Sequence, residues 1–270
     1  MTSHESLRKR FNPEGSDLRR QQKVMLEILS EVDHICRAEG IRYWLSSGTL
    51  LGAVRHGGFI PWDDDLDIEM MREDYRRFIE IMPRKLPDEL VLQTIDTDTA
   101  FYSFYAKIRE RGSHISETGG YDRILKYRGI YIDVFPLEDS PEWIHRISET
   151  AQGHVYKLLR TSCDDSRIIP RTKKITHFNR RVTFPLLRLL TKILPGTLRP
   201  ALGIPFRTPR DRGELFPLKE MLFEGRKFFV PNDSDAYLRR MFGDYTQLPD
   251  LSRLKLHIDE IKFAETDKGV

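Results

Sequence analysis

The chain has 270 residues, with 44 Lys and Arg against 41 Asp and Glu, a net charge of +3. That average hides a split: residues 151–212 carry 14 basic and 3 acidic residues, a local +11, which leaves 30 against 38, or −8, for the rest. Opposite signs in two parts of one chain suit a polyanionic partner, a membrane surface or a nucleic acid. An apolar fraction of 39% reads as a globular chain, and no window approaches the ~18 apolar residues of a membrane-spanning helix. No apolar stretch follows the first basic residues, so a secretory signal is not expected. Two cysteines, Cys36 and Cys163, give no disulfide framework, and no Cys/His spacing suits zinc. These readings favour a reducing, cytoplasmic location.

In chain order, residues 1–15 are polar and read as a loose N-terminus. Ser16 can cap a helix to Glu39 whose apolar face is Leu18, Met25, Leu29, Val32 and Cys36, and Gly40 ends it. A short strand over 41–45, the polar turn Ser46-Ser47-Gly48-Thr49 and a short helix over 50–55 follow. Strict alternation over 65–70 predicts a strand. A helix opens at Glu73 or Asp74, and strands are predicted over 90–95, 104–109 and 129–135, the last ended by Pro136. Residues 141–159 read as a helix, and 171–194 as basic amphipathic helix broken at Pro185. Residues 221–230 form a hairpin turning at Glu224-Gly225-Arg226, and a last helix runs over 233–242. This is an α+β pattern with mixed strands. The divisions are a flexible 1–15, a catalytic core 16–145, a basic helical region 146–212, and a C-terminal hairpin and helix in 213–270, a C-terminal helical extension of the same domain.

The densest chemical signal is Pro61-Trp62-Asp63-Asp64-Asp65-Leu66-Asp67-Ile68-Glu69. On a strand, residues i and i+2 share a face, so Asp65, Asp67 and Glu69 point one way and Leu66, Ile68 and Met70 the other. Carboxylates so crowded raise one another's pKa, and a hard divalent cation relieves the repulsion. Otherwise they form only an exposed acidic face, with Glu69 pairing Arg72. The turn Ser47-Gly48-Thr49 ahead of a helix offers backbone N–H groups to an anion, 17 residues before Asp65, with Arg55 and His56 one turn on; a plain helix cap is the other reading. Asp133, inside the apolar run Tyr131–Phe135, needs either a buried arginine or a role as a third carboxylate. Lys107 and Arg109 share a strand face and could neutralise phosphate or simply lie solvated at a sheet edge.

Ser47-Gly48-Thr49-Leu50-Leu51-Gly52-Ala53-Val54-Arg55-His56 and Gly58-Phe59-Ile60-Pro61-Trp62-Asp63-Asp64-Asp65-Leu66-Asp67 closely resemble the signature of the LicD family, to which fukutin-related proteins are distantly similar. Lys107-Ile108-Arg109 and Ile132-Asp133-Val134-Phe135-Pro136-Leu137 resemble its middle motifs. Phe223-Glu224-Gly225, Val230-Pro231 and Tyr237-Leu238 through Phe242-Gly243-Asp244-Tyr245 resemble its C-terminal ones, so the likeness spans about residues 17–257. Phe242 stands where tyrosine is usual, and Gly112-Ser113 where threonine often follows a basic pair.

The resemblance implies a nucleotidyltransferase-like mixed sheet flanked by helices. It implies Mg²⁺ or Mn²⁺ on Asp65, Asp67 and Asp133, which would also be the catalytic residues. The donor implied is a CDP-activated alcohol such as CDP-choline, and the acceptor a cell-surface or lipid-linked glycan of lipopolysaccharide, teichoic acid or capsule type. In that scheme Ser47, Gly48, Thr49, Arg55, His56, Lys107 and Arg109 face phosphate, and Asp63 and Asp64 support the metal residues. Trp62 is the aromatic best placed to hold a quaternary ammonium head group. Two other functions stay open: transfer of a nucleoside monophosphate, and non-catalytic nucleic-acid binding through the basic stretch. The latter lacks the aromatic-basic spacing of stacking modules, so nucleic acid is not expected as a partner. The interleaving of that stretch with apolar residues reads as a peripheral contact with an anionic membrane or as a helix packed on the core.

Overall fold

The computed structural model describes residues 4–161, 164–252, 254 and 257–263. Cys163 falls outside these residues, and Cys36 is a buried thiol. Helix α1 (His4–Phe11) and helix α2 (Asp17–Glu39) come first. Ser16 Oγ accepts from Arg19 N at the start of α2, and Gly40, at φ +62°, closes its end in the left-handed conformation that only glycine adopts at no steric cost. Residues 4–11, inside the segment expected to be loose, form a helix that packs on the rest of the fold. Leu7 of α1 is buried, Phe11 meets Trp62 edge-on at 5.4 Å, and Arg8 reaches Glu224 at 3.6 Å.

A six-stranded mixed sheet forms the centre. Strands β1 (Trp44–Leu45) and β2 (Asp67–Met71) flank helix α3 (Ser47–His56), and helix α4 (Arg72–Lys85) leads to β3 (Leu90–Gln93) and β4 (Ala106–Glu110). A small strand β5 (His114–Glu117) and a 3-10 turn (Tyr121–Ile124) precede the long β6 (Tyr131–Ser140). The strand order is β1-β2-β6-β4-β3, with β2 and β6 parallel and every other pair antiparallel. Ile68, Met70, Ile132 and Val134 are buried with α2 residues Met25, Leu29 and Val32 in one core cluster, while Asp67, Glu69, Asp133 and Phe135 fall on the opposite face.

Pro136 does not end β6. Strand β7 (Thr197–Pro200) pairs with residues 137–140 beyond the point where β4 stops at Val134. The Pro136 carbonyl accepts from Ala201 N on that side, so its missing N–H falls in the gap between the two partners, where no ladder bond is lost.

After α5 (Glu142–Thr161), α6 (Asp165–Phe178) passes through a π turn (Asn179–Thr183) into α7 (Phe184–Thr191). The helical run is not broken at Pro185, where a break was expected: the π turn just before it shifts the bonding, with Phe184 N donating to Asn179 O, and the run continues through the proline. The C-terminal part holds α8 (Arg212–Leu215), the hairpin β8 (Lys219–Phe223) and β9 (Arg226–Val230), and α9 (Ser234–Phe242). Glu224 and Gly225, at φ +51° and +80°, make the hairpin turn. The chain then returns as β10 (Ile258–Lys262) to pair with β5, a strand pair that the sequence reading lacked.

Candidate active site

A cleft of about 1000 Å³ opens over the polar face of the sheet. Its floor is Asp65, Asp67 and Glu69; its walls come from Ser47 and Gly48 at the start of α3, from residues 205–208 after β7, and from residues 241–249 with His257. Strand β2 begins at Asp67, two residues later than predicted, but Leu66 O already accepts from Asp133 N, so Asp65 lies just outside the ladder on the same face.

The acidic residues divide into two states. Glu69 is buried and satisfied: Arg210 binds it at 2.5 Å, Trp44 Nε1 donates at 3.2 Å and Tyr237 OH at 3.0 Å. Its partner is Arg210 rather than Arg72, which instead joins Arg188 on Glu138. Asp63, Asp65 and Asp67 have no comparable cation. Burial, then Asp65, raises the Asp63 carboxyl well above the usual range; burial, then Asp65 and Asp133, does the same to Asp67; and burial raises Asp65.

Asp133 is the direct neighbour of Asp67 across the β2–β6 register. Its Oδ1 lies 2.9 Å from Lys107 Nζ but is buried without an aligned hydrogen bond, and burial pushes its carboxyl up to about 6 despite Lys107. Among the described residues no three His, Cys, Asp or Glu side chains are already drawn into a metal cage. The donor chemistry nevertheless fits a hard divalent cation: oxygen ligands only, mutual repulsion that Lys107 and His257 offset only in part, and the buried Asp133 Oδ1 lacking an aligned hydrogen bond.

The expected phosphate residues are only partly brought together. Ser47, Gly48 and Arg55 line the cleft. Ser47 has φ +48°, unusual for a residue with a side chain, and it turns the chain into α3 at the cleft wall. A Cβ at Gly48 would stand 2.8 Å from Asp63 Oδ2, so its bareness makes room for that carboxylate. Thr49 is turned away, its Oγ1 accepting from Asp67 N at 2.8 Å and so fixing the start of β2. His56 is outside the cleft lining, its Nε2 accepting from Arg55 Nε at 3.0 Å. Lys107 sits on Asp133 and 3.3 Å from the centre of the Tyr131 ring, not in the cleft. Arg109 departs furthest from the expectation. It is fully buried between Gln93, the Gly129 carbonyl and Glu117, because β4 lies inside the sheet rather than at its edge.

Trp62 lines the cleft between Phe11 and His56. Phe135, Phe206, Phe242 and Tyr245 add aromatic surface that the sequence reading did not assign to the site. Asp64 faces away from the cleft and anchors the returning chain: its carboxylate accepts from His257 N, His257 Nδ1 and Ile258 N. That pairing, followed by Asp65 at 3.6 Å, raises His257 to about 9 and brings a cation to the cleft. Arg207 is a further basic wall residue. Neither could be found from local sequence, since His257 is 193 residues from Asp64. Neither lies in any of the family-like motifs, the last of which ends at Tyr245.

The sequence profile of the family described as LicD/FKTN/FKRP, nucleotidyltransferase domain, matches residues 40–211. The chain is 28% identical over 265 residues to the lipopolysaccharide cholinephosphotransferase LicD of Haemophilus influenzae, covering 89% of this chain and 95% of that protein. It is 46% identical over 52 residues to human ribitol 5-phosphate transferase FKRP, 19% of this chain and 10% of that one. An uncharacterized Rickettsia typhi protein is 47% identical over 60 residues, 22% of this chain and 19% of its own.

Proposed function

The chain belongs to the LicD/FKTN/FKRP nucleotidyltransferase-domain family and is a LicD-like phosphotransferase, and from that premise we propose that it moves a phospho-alcohol from a CDP-activated donor to a hydroxyl of a cell-surface or lipid-linked glycan. Phosphocholine is the first head group to test, because the relative similar over nearly its whole length is named a lipopolysaccharide cholinephosphotransferase. The observation that carries the proposal is the cluster of Asp63, Asp65 and Asp67 on the cleft floor, whose charge is uncompensated while that of the adjacent Glu69 is neutralised.

Asp65 and Asp67, with Asp133 beside them, would hold Mg²⁺ or Mn²⁺, which would supply positive charge against the donor diphosphate. Arg55 and Arg207 on the walls bind the phosphate oxygens, and His257 adds a third cation from the returning C-terminal segment. Asp133, with a carboxyl near 6, accepts the proton of the acceptor hydroxyl, and Lys107 keeps it from rising further. The acceptor oxygen bonds to the phosphorus that bears the alcohol as the bond from that phosphorus to the CMP oxygen breaks, and CMP leaves with the electron pair. Trp62 and the aromatic residues opposite offer ring faces to a quaternary ammonium. Positioning and electrostatics carry the rate in such a transfer.

The test is incubation of the protein, Mg²⁺ and a glycan acceptor with a panel of CDP-alcohols. Release of CMP with the head-group phosphate appearing on the glycan supports the reading. Pyrophosphate from a nucleoside triphosphate, with no turnover of any CDP-alcohol, would instead indicate nucleotidyl transfer.

A further inference from the structure

The helical segment α6–α7 buries one apolar side and leaves a second apolar stripe facing outward. Its inner face mixes apolar and polar groups: Ile168 and Phe184 are buried together with Thr172, Thr176 and Asn179, and Asn179 Nδ2 donates to Gln152 Oε1 at 3.1 Å. Its outer face is apolar. Phe178, Leu186, Leu189 and Ile193 are 59%, 58%, 57% and 77% exposed, at a spacing that follows one side of the α6, π-turn and α7 run. Val182 and Leu190 widen the stripe, and α5, whose Ile144 packs with Leu187 and Leu194, exposes Trp143 and Ile147. A contiguous exposed apolar strip of this kind marks a binding surface.

Charge selects the occupant. Residues 166–210 hold eleven Lys and Arg and no Asp or Glu. Arg180 pairs with Asp96 at the surface and Arg188 with the buried Glu138. Arg171, Lys174, Arg181 and Lys192 remain exposed along the apolar stripe and make no ion pair among the described residues. A second copy docking on the same face would set these cations against each other. A nucleic acid would find the cations separated by Leu and Ile rather than by stacking aromatics. An anionic lipid bilayer answers both features, since its headgroups take the cations and its interface takes the apolar side chains. No helix among the described residues is long and apolar enough to cross a membrane, so the contact is peripheral.

We propose that the outer face of α6–α7 is a docking surface for an anionic membrane, with Phe178, Leu186, Leu189 and Ile193 entering the interface and Arg171, Lys174, Arg181 and Lys192 meeting its headgroups. The surface stands whatever reaction the cleft performs. It has one positional consequence: α7 runs through β7 directly into residues 205–208 of the cleft wall, so a docked protein holds its cleft close to the bilayer.

The experiment is co-sedimentation of the full chain with vesicles of phosphatidylcholine alone or with phosphatidylglycerol added, at low and high salt. Binding is expected to the anionic vesicles only, and to weaken as salt rises. Arg181→Ala and Lys192→Ala should each weaken it about fivefold. Leu186→Glu with Leu189→Glu should abolish it while leaving the thermal unfolding midpoint unchanged, because both side chains are exposed. The proposal is overturned by equal sedimentation of wild type and the double variant. It is also overturned by absence of binding at low salt, or by a concentration-dependent dimer that the double variant abolishes.

Discussion

Strand β2 carries carboxylates along one face, at its start and at its middle, and the two positions are in opposite electrostatic states. At Glu69 the carboxylate is enclosed by Arg210, Trp44 and Tyr237, and every lone pair it buries has a donor. At Asp67 and Asp65, one and two alternate positions before Glu69, the nearest cations are Lys107, held by Asp133, and His257, held mainly by Asp64. The first arrangement is a buried structural ion pair. The second is an electrostatic deficit that folding retained, and it sits in the cleft. The difference teaches that acidity alone does not mark a site; charge left without a protein partner does.

The largest effect expected from breaking this contrast is on transfer. Asp67→Asn should lower CMP release by about a thousandfold or more, with the fold intact by circular dichroism. The next is on stability at Glu69. Arg210→Met leaves Glu69 buried without its cation and should cost about 3–5 kcal/mol, read by urea denaturation. Equal stability losses in Asp67→Asn and Arg210→Met would erase the distinction.

A smaller effect concerns pH. Asp63, Asp65, Asp67 and Asp133 are all raised in the folded state, so the fold favours their protonated forms. Without divalent cation, their contribution to stability falls as pH rises from the unfolded carboxylate range near ~4 through Asp133 at about 6. Glu117 and Glu138 are lowered by their partners, chiefly Lys107 and Arg188 respectively, and act oppositely, losing their contribution only on further acidification. In a chelator the protein should therefore be more stable near pH 5 than at pH 7.5 by ~1–3 kcal/mol. Mg²⁺ should narrow that gap in wild type, and Asp67→Asn should narrow it without Mg²⁺. A stability that climbs steadily to pH 7.5 in chelator would contradict the deficit.

The smallest effect is at His257. Its pKa is raised to about 9 by Asp64, so its contribution is full below the unfolded value near 6.5 and is lost as pH passes 9. His257→Gln should cost about 1 kcal/mol at pH 6, since the ring is more than half exposed and solvent screens the pair, and nothing above pH 10.

Much of this was legible in the sequence, and for local reasons. Ser16 and Gly40 bound α2 because a cap and a left-handed stop are single-residue devices. The alternation at 65–70 set the faces of β2, and Glu224-Gly225 set the hairpin. What stayed hidden depends on partners distant in sequence. Glu69 and Arg210 are 141 residues apart, so the expected Arg72 pairing could not be separated from the real one. Arg109 looked like a surface cation because nothing local says that β4 is flanked by both β3 and β6. Strand β5 is visible only through its pairing with the returning β10, and α1 through the packing of Leu7 and Phe11.

The most direct measurement of the central claim is a calorimetric titration of Mn²⁺ into the protein in the presence of CDP-choline. One saturable event in wild type and in a Trp62→Phe control, absent in Asp67→Asn, is the predicted result. Unchanged Mn²⁺ binding in Asp67→Asn would show that the uncompensated carboxylates are not where the cation and the donor meet.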